Sequence, residues 1–292
     1  MLYVSNIIDE NTIKVSDSRT GASVGVSYEE AMGMGTIYGL GRKSVTMTYN
    51  SVEAFLASYL MRFKLVVAQG VDFKFKYEDF KITLEKCTMD SDVEDVIIPD
   101  FVDCLGDSCF KGCYSVKHIH IPDSVFEVGG LCFCECTSLE SVRLSNSITS
   151  LPEHCFSECY SLENINIPSS VTSLGFCCFY RCRVLKHIDI PDTVIEICES
   201  CFCFAFALES VRLSNSITKL PKNCFKSCNC LKSIDIPESV TSIGVDCFFM
   251  CEALEHVGIS NAITHLGSGC FNFCSSLDKI QLPDSVKTIG EF

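Results

Sequence analysis

Apolar and polar positions recur with a fixed period of 23 residues through most of the chain. The pattern Ile-Pro-x-x-Val begins at Ile98, Ile121, Leu144, Ile167, Ile190, Leu213, Ile236, Ile259 and Leu282, with no insertion. A Cys-Phe pair keeps step from Cys109-Phe110 to Cys270-Phe271. The unit reads Cys-Phe-x-x-Cys-x-x-Leu-x-x-Ile-x-Ile-Pro-x-x-Val-x-x-Ile-Gly. Its first part places apolar residues at i, i+4 and i+7, the spacing of one face of a helical turn. The Ile-x-Ile part alternates, as a short strand does. Proline then ends ladder pairing and forces a bend. Glycine makes a second corner, with Pro152 and Pro221 in its place in two units. One strand and one helical turn cannot bury their own apolar face, but stacked copies can. The expected architecture is therefore a solenoid of about eight repeats over residues 93–292.

Residues 1–92 lack the period. Leu2–Ile8 and Thr12–Ser16 are expected to form a hairpin, with a further strand near Ser23–Val26. Ser27-x-x-Glu30 is a capping-box pattern that opens a short helix closed by Gly33, and Asn50-x-x-Glu53 opens a helix over about Ser51–Phe63. Leu65–Ala68, Val71–Tyr77 and Lys81–Lys86 follow as strands. The region is expected to be a small α+β domain, with a sub-boundary near 41, that caps the first coil.

The repeat resembles the leucine-rich repeat, and more narrowly its BspA-like class. Cys247-Phe-Phe-Met-Cys-Glu-Ala-Leu-Glu-His-Val-Gly-Ile and Ile236-Pro-Glu-Ser-Val-Thr-Ser-Ile-Gly carry the likeness. The resemblance implies an α/β solenoid, a right-handed superhelix with short parallel strands, behind the N-terminal domain. It also implies a binding module, and family members are often described as microbial surface proteins. Departures from the pattern are Ala205 at the second cysteine position and Ser145, Ser214 and Ser260 at the proline position. Leu139–Thr149 and Leu208–Thr218 are identical and lie 69 residues apart, which points to duplication of a three-repeat block.

Charge narrows the partners. The net charge is −14, of which residues 1–92 carry −2 and residues 93–292 carry −12. Such a balance argues against direct attraction to nucleic acid or anionic membranes. No apolar run is long enough to span a bilayer, and no secretory signal is visible. The period sets the next Cys-Phe pair just after Phe292, so residues from about Pro283 are expected to be poorly ordered in an isolated monomer, or ordered only by a contact across the open end. Self-association through that coil or through the N-terminal domain follows as an expectation.

Of the 22 cysteines, 15 fall on the two repeat positions. Stacked coils place them in parallel rows, without the tetrahedral convergence zinc needs and with poor vectors for disulfides. They are expected to be small buried hydrophobes, which suits a reducing compartment and hence the cytoplasm, the cell surface being the alternative. Off-row Cys134 and Cys203 are expected to point outward. The Gly33–Ser44 stretch fails as a phosphate loop because Arg42 separates glycine from Lys43-Ser44. His118 and His120 share a strand face but lack a third metal ligand nearby in sequence, and no histidine is ordered against a nucleophile. No cofactor and no enzymatic activity are expected.

The variable positions are the strongest functional signal. Between the strand isoleucines the residues are His120, Arg143, Asn166, Asp189, Arg212, Asp235, Gly258 and Gln281. Two positions earlier the row includes His118, His187 and His256. Variable side chains on a repeating sheet form a concave recognition surface. His118, His120, Arg143, Asn166, His187, Asp189, Arg212, Asp235, His256 and Gln281 are therefore the expected contacts to a protein partner. The expected function is a non-enzymatic interaction module, which could act as an inhibitor. An adhesin, or an enzyme or ligand-binding activity in residues 1–92, is the alternative.

Overall fold

The computed structural model describes residues 2–9, 12–17, 23–27, 71–78, 81–89, 91–100 and 102–291. In the N-terminal region β1 (Leu2–Asp9), β2 (Thr12–Asp17) and β3 (Ser23–Ser27) form an antiparallel sheet. The first three expected strands are thus present. The helices expected from Ser27-x-x-Glu30 and Asn50-x-x-Glu53, and the strand at Leu65–Ala68, lie outside the described residues. β4 (Val71–Glu78) and β5 (Lys81–Met89) match the last two expected strands and pair antiparallel. β5 then pairs in parallel with Cys104–Leu105, so it is continuous with the solenoid. The buried Asp103 accepts from the Ile82 N–H at 2.9 Å, and its own N–H donates to the Ile82 carbonyl.

Beyond β5 each coil but the last contributes two short strands. The first ladder comprises Asp95–Ile97, His118–His120, Ser141–Arg143, Asn164–Ile165, His187–Asp189, Ser210–Arg212, Ser233–Asp235 and His256–Gly258. The second runs from Cys104–Leu105 to Thr288–Ile289. Every described pairing between coils is parallel and offset by 23 residues, as in Val142 opposite Ile119. The middle residue of each first-ladder strand faces the core and its neighbours face solvent, which is the alternation expected of Ile-x-Ile.

The second ladder is interrupted between Val128 and Leu151 and between Ile197 and Leu220. The cause is in the sequence. At the corner, Gly129, Gly175, Gly244 and Gly267 donate their N–H to the strand of the preceding coil. Pro152 and Pro221 hold that position in the two interrupted coils and have no N–H to give. Glycine suits this corner because coils touch there: a Cβ on Gly267 would lie 2.4 Å from the Gly244 carbonyl carbon.

The segment expected to be a helical turn is different. Among the described residues the solenoid has no helix. The Cys-Phe segment is a run of three-residue-spaced turns, with Cys109, Phe110 and Cys113 each bonded in that pattern or to the next coil. Two residues per coil, at Ser108 and Gly112 and their equivalents, hold φ between 52° and 71°. Fourteen of these are not glycine, although L-residues pay a steric penalty there. The left-handed backbone turns their N–H groups along the solenoid. Leu131, Glu135, His154 and Glu158 donate to Glu153, Ser157, Phe176 and Tyr180 of the next coil. A helix would direct these bonds within the coil. The turns therefore act as a third ladder that ties coils together.

The core is a column of repeated side chains. Phenylalanines from Phe110 to Phe271 stack with centroids 5.2–5.7 Å apart and planes within 18° of parallel. Spacings of this size are offset stacks, worth about 0.5–1.5 kcal/mol each beyond area burial. At one end Phe73 of β4 meets Phe110 edge-on at 6.5 Å.

The cysteine rows lie in the same core. Of the 22 thiols none is in a disulfide, and all but Cys198 and Cys230 are at least nine-tenths buried. The second row has a specific role: Cys136, Cys159, Cys182, Cys228, Cys251 and Cys274 each donate S–H to a phenylalanine carbonyl of the preceding coil at 3.1–3.3 Å. Cys134 and Cys203 are buried, not outward-facing, because the turn packs that position against the neighbouring coil where a helix would project it. Ser145 and Ser214 replace proline yet are fully buried; each hydroxyl donates to a valine carbonyl of the preceding coil.

Candidate functional site

The exposed face of the first ladder carries the variable rows. His118, Arg143, Asn166, His187, Asp189, Arg212, Asp235, His256 and Gln281 are all exposed, and His120 is half-buried. Asn166 follows the strand Asn164–Ile165, and Gln281 lies outside any assigned strand. The remaining eight are strand residues on one face, set side by side by the 23-residue register. Pairing with His118–His120 adds Asp95 and Ile97 to the same rows. Ile97 is 53% exposed, an apolar member that the sequence reading passed over. Its signal was present, since it alternates with buried Val96 and Ile98.

The two arginines are held rather than free. Arg212 donates to Asp189 and Asp192 at 3.0 Å each and to the Ile190 carbonyl at 2.9 Å. Arg143 contacts His120 Nε2 and lies 3.8 Å from Asp123. The duplicated block thus repeats a whole contact set. Asp123 accepts from the Asn146 N–H and Asp192 from the Asn215 N–H, both at 2.9 Å, and Ser147 and Ser216 donate to the two aspartate carbonyls. The N–H donors hold both carboxyls below the usual aspartate range, with the nearby arginines adding to this. Burial and the Arg143 charge keep the His120 imidazole below its ordinary value.

A second element recurs with the same 69-residue interval. His118 Nδ1 meets Ser141 Oγ at 2.9 Å, and His187 Nδ1 meets Ser210 Oγ at 2.8 Å. His256 stands at the next equivalent position, where the following coil has Lys279. Asp235 leans over Gly258, whose absent Cβ would lie 2.5 Å from its Oδ1. The face is therefore a fixed array of donors and acceptors on a ladder whose middle residues are in the core.

Among the described residues no group of three or more His, Cys, Asp or Glu side chains converges to hold a metal ion. No described helix is long and apolar enough to cross a membrane.

Comparison with known proteins agrees with this architecture. Residues 82–206 and 196–292 match the BspA type leucine rich repeat region, in six copies. Among solved structures, the chain is similar to a leucine-rich repeat protein from Bacteroides ovatus, with 29% identity and a TM-score of 0.71 over 76% of this chain. It spans 60% of that protein's length. It is also similar in fold to a leucine-rich repeat protein of T. pallidum (23% identity, TM-score 0.56, 70% of this chain and 87% of that one). A third, from Eubacterium ventriosum, shares 22% identity at a TM-score of 0.51 over 68% of this chain and 63% of that one. No curated protein matches the chain.

Proposed function

The chain belongs to the BspA-type leucine-rich repeat family, and from that premise we propose that it is a non-enzymatic protein-interaction module. Its partner lies across the exposed face of the first ladder, between His118 and Gln281. One observation carries this reading: coil after coil keeps the same buried column while the adjacent exposed rows change chemistry. A fixed scaffold with variable side chains loses little conformational entropy on binding. The internal pairing of Arg143 and Arg212 supports preorganisation, since neither guanidinium must be ordered by the partner. The buried thiols, none of them in a disulfide, favour a reducing compartment as the place where this happens.

Site-directed photocrosslinking tests the surface. A photoreactive residue at Ser141 or Asn164 should capture a discrete partner in cells, and one at Ser150 or Lys219 on the second ladder should not. Arg143→Ala with Arg212→Ala should reduce that capture. Equal capture from both ladders, or none from the first, refutes the assignment.

A further inference from the structure

The turns that carry the Cys-Phe pairs present a second surface. Tyr180 and Phe204 meet edge to face at 5.6 Å, and Phe204 touches Phe206 at 5.8 Å. Cations lie on Tyr180 and on two neighbouring rings, Tyr160 and Phe249: the Arg181 guanidinium is 5.2 Å from Tyr180, Arg183 is 4.3 Å from Tyr160, and Lys226 is 4.4 Å from Phe249. Phe176 and Phe206 are 43% and 38% exposed.

Two features indicate that this surface is not there for stability. The second left-handed position of each coil accepts Gly112 or Ser227 elsewhere, yet Phe204 and Met250 occupy it at φ 62° and 59°. A bulky apolar residue there carries backbone strain and also leaves part of its side chain in water. The charge is also reversed. Segments 175–184, 198–207 and 221–230 hold Arg181, Arg183, Lys222 and Lys226 against Glu199 alone, within a repeat region of net −12; Arg181 and Lys226 pair with Glu158 (3.6 Å) and Asp246 (3.2 Å) of the flanking coils, which leaves Arg183 and Lys222 as the uncompensated cations. Exposed aromatics, methionine and arginine together are the composition of protein interface centres.

We infer that this turn face docks an acidic segment of another protein, a carboxylate of which meets Arg183 while apolar side chains rest on Phe204 and Phe206. Arg183 forms no ion pair among the described residues, and its guanidinium lies over the Tyr160 ring at 4.3 Å. A planar guanidinium held in this way is suited to bidentate carboxylate contact. Nucleic acid, the other polyanion, is disfavoured by the repulsion of a chain of net −14. This surface is separate from the first ladder, so neither reading requires the other.

The test uses the full chain and a displayed library of random peptides of about 12 residues, a length typical of linear recognition segments. Enriched peptides should be net acidic with aromatic or aliphatic anchors. A synthetic copy of the strongest should lose about tenfold or more in affinity for Phe204→Ser/Phe206→Ser and for Arg183→Glu. Arg143→Ala/Arg212→Ala should bind it like wild type. Folding is followed by thermal melts, and Arg183→Ala serves as a milder variant that should lose affinity in the same direction. A neutral or basic consensus, no enrichment, or equal binding by the turn variants overturns the inference. Loss confined to Arg143→Ala/Arg212→Ala also overturns it, while favouring the first ladder. Tight binding of a short oligodeoxythymidine that is lost in Arg183→Glu would replace the protein partner with nucleic acid.

Discussion

Ala205 is a natural deletion in the row of donor thiols, and restoring the sulfur should stabilise the solenoid. Phe110, Phe133, Phe156, Phe202, Phe225 and Phe248 each receive two donors at the carbonyl. Phe156, for example, accepts the Cys159 N–H at 3.3 Å and the Cys182 thiol at 3.2 Å. Phe179 accepts the Cys182 N–H at 3.2 Å, and the residue that would supply its thiol is Ala205. Ala205 is fully buried, between Cys182 and Cys228 in the row. Ala205→Cys adds one buried heavy atom of methylene-like hydrophobicity, about 0.8 kcal/mol, and a weak hydrogen bond of about 0.5 kcal/mol. Fitting the larger atom into a packed site offsets part of this, leaving a net gain of about 1 kcal/mol. The melting midpoint in reductant should rise by about 2–4 °C. The opposite change, Cys159→Ala, should cost about 1–2 kcal/mol by the same reasoning. Urea and thermal unfolding of both variants measure the pair. A midpoint for Ala205→Cys at or below wild type, alongside a normal loss for Cys159→Ala, would show that alanine already fills its site and that the thiol bond contributes nothing.

Native thiol labelling at pH 8 should modify Cys230 first and then Cys198, with the remainder reacting only on unfolding. Burial pushes the Cys203 and Cys270 thiols up to about 12 and Cys177 up to about 11, so rapid labelling of these would contradict the packing. Leu131→Gly should raise stability by up to about 1 kcal/mol in urea titrations, because glycine removes the steric cost at φ 55°; a loss would mean the Leu131 side chain contributes more than the strain costs. The Asp123 and Asp192 carboxyls titrate lower in the folded than in the unfolded chain, so their stabilisation is present above the ordinary aspartate value of about 4 and is lost as pH falls through the folded one. Asp123→Asn/Asp192→Asn should therefore flatten the acid limb of the stability profile, and an unchanged limb would exclude these two sites from acid unfolding.

The sequence was informative where one coil's pattern determines one coil's structure. Isoleucine alternation marked each strand, and the corner residue marked each bend. The cross-coil contacts were less accessible. A helical turn and a left-handed turn bury the same i, i+4 and i+7 positions, so Cys109, Cys113 and Val116 look alike under either. What separates them is where backbone N–H groups point, and in this fold the partner carbonyl is 22 residues away, as for Leu131 and Glu153. The exposed rows were legible for the same reason as the strands. The clasp of Arg212 by Asp192 was not, because it joins a strand to the bend of the preceding coil, 20 residues back.

The three parallel ladders also determine how the solenoid responds to force. Their hydrogen bonds all run from one coil to the next, as do the contacts in the phenylalanine column. Tension applied through the two ends of the array loads the coil boundaries in series and end-on, so they fail one at a time and are never sheared together. A coil that detaches releases 23 residues, about 80 Å of contour length, and passes the load to the next boundary. Pulled in this direction the array yields by peeling, and the boundaries that Pro152 and Pro221 interrupt are the weakest. Loaded across the ladders, the same molecule must shear many bonds at once. The solenoid is thus soft along its length and stiff across it.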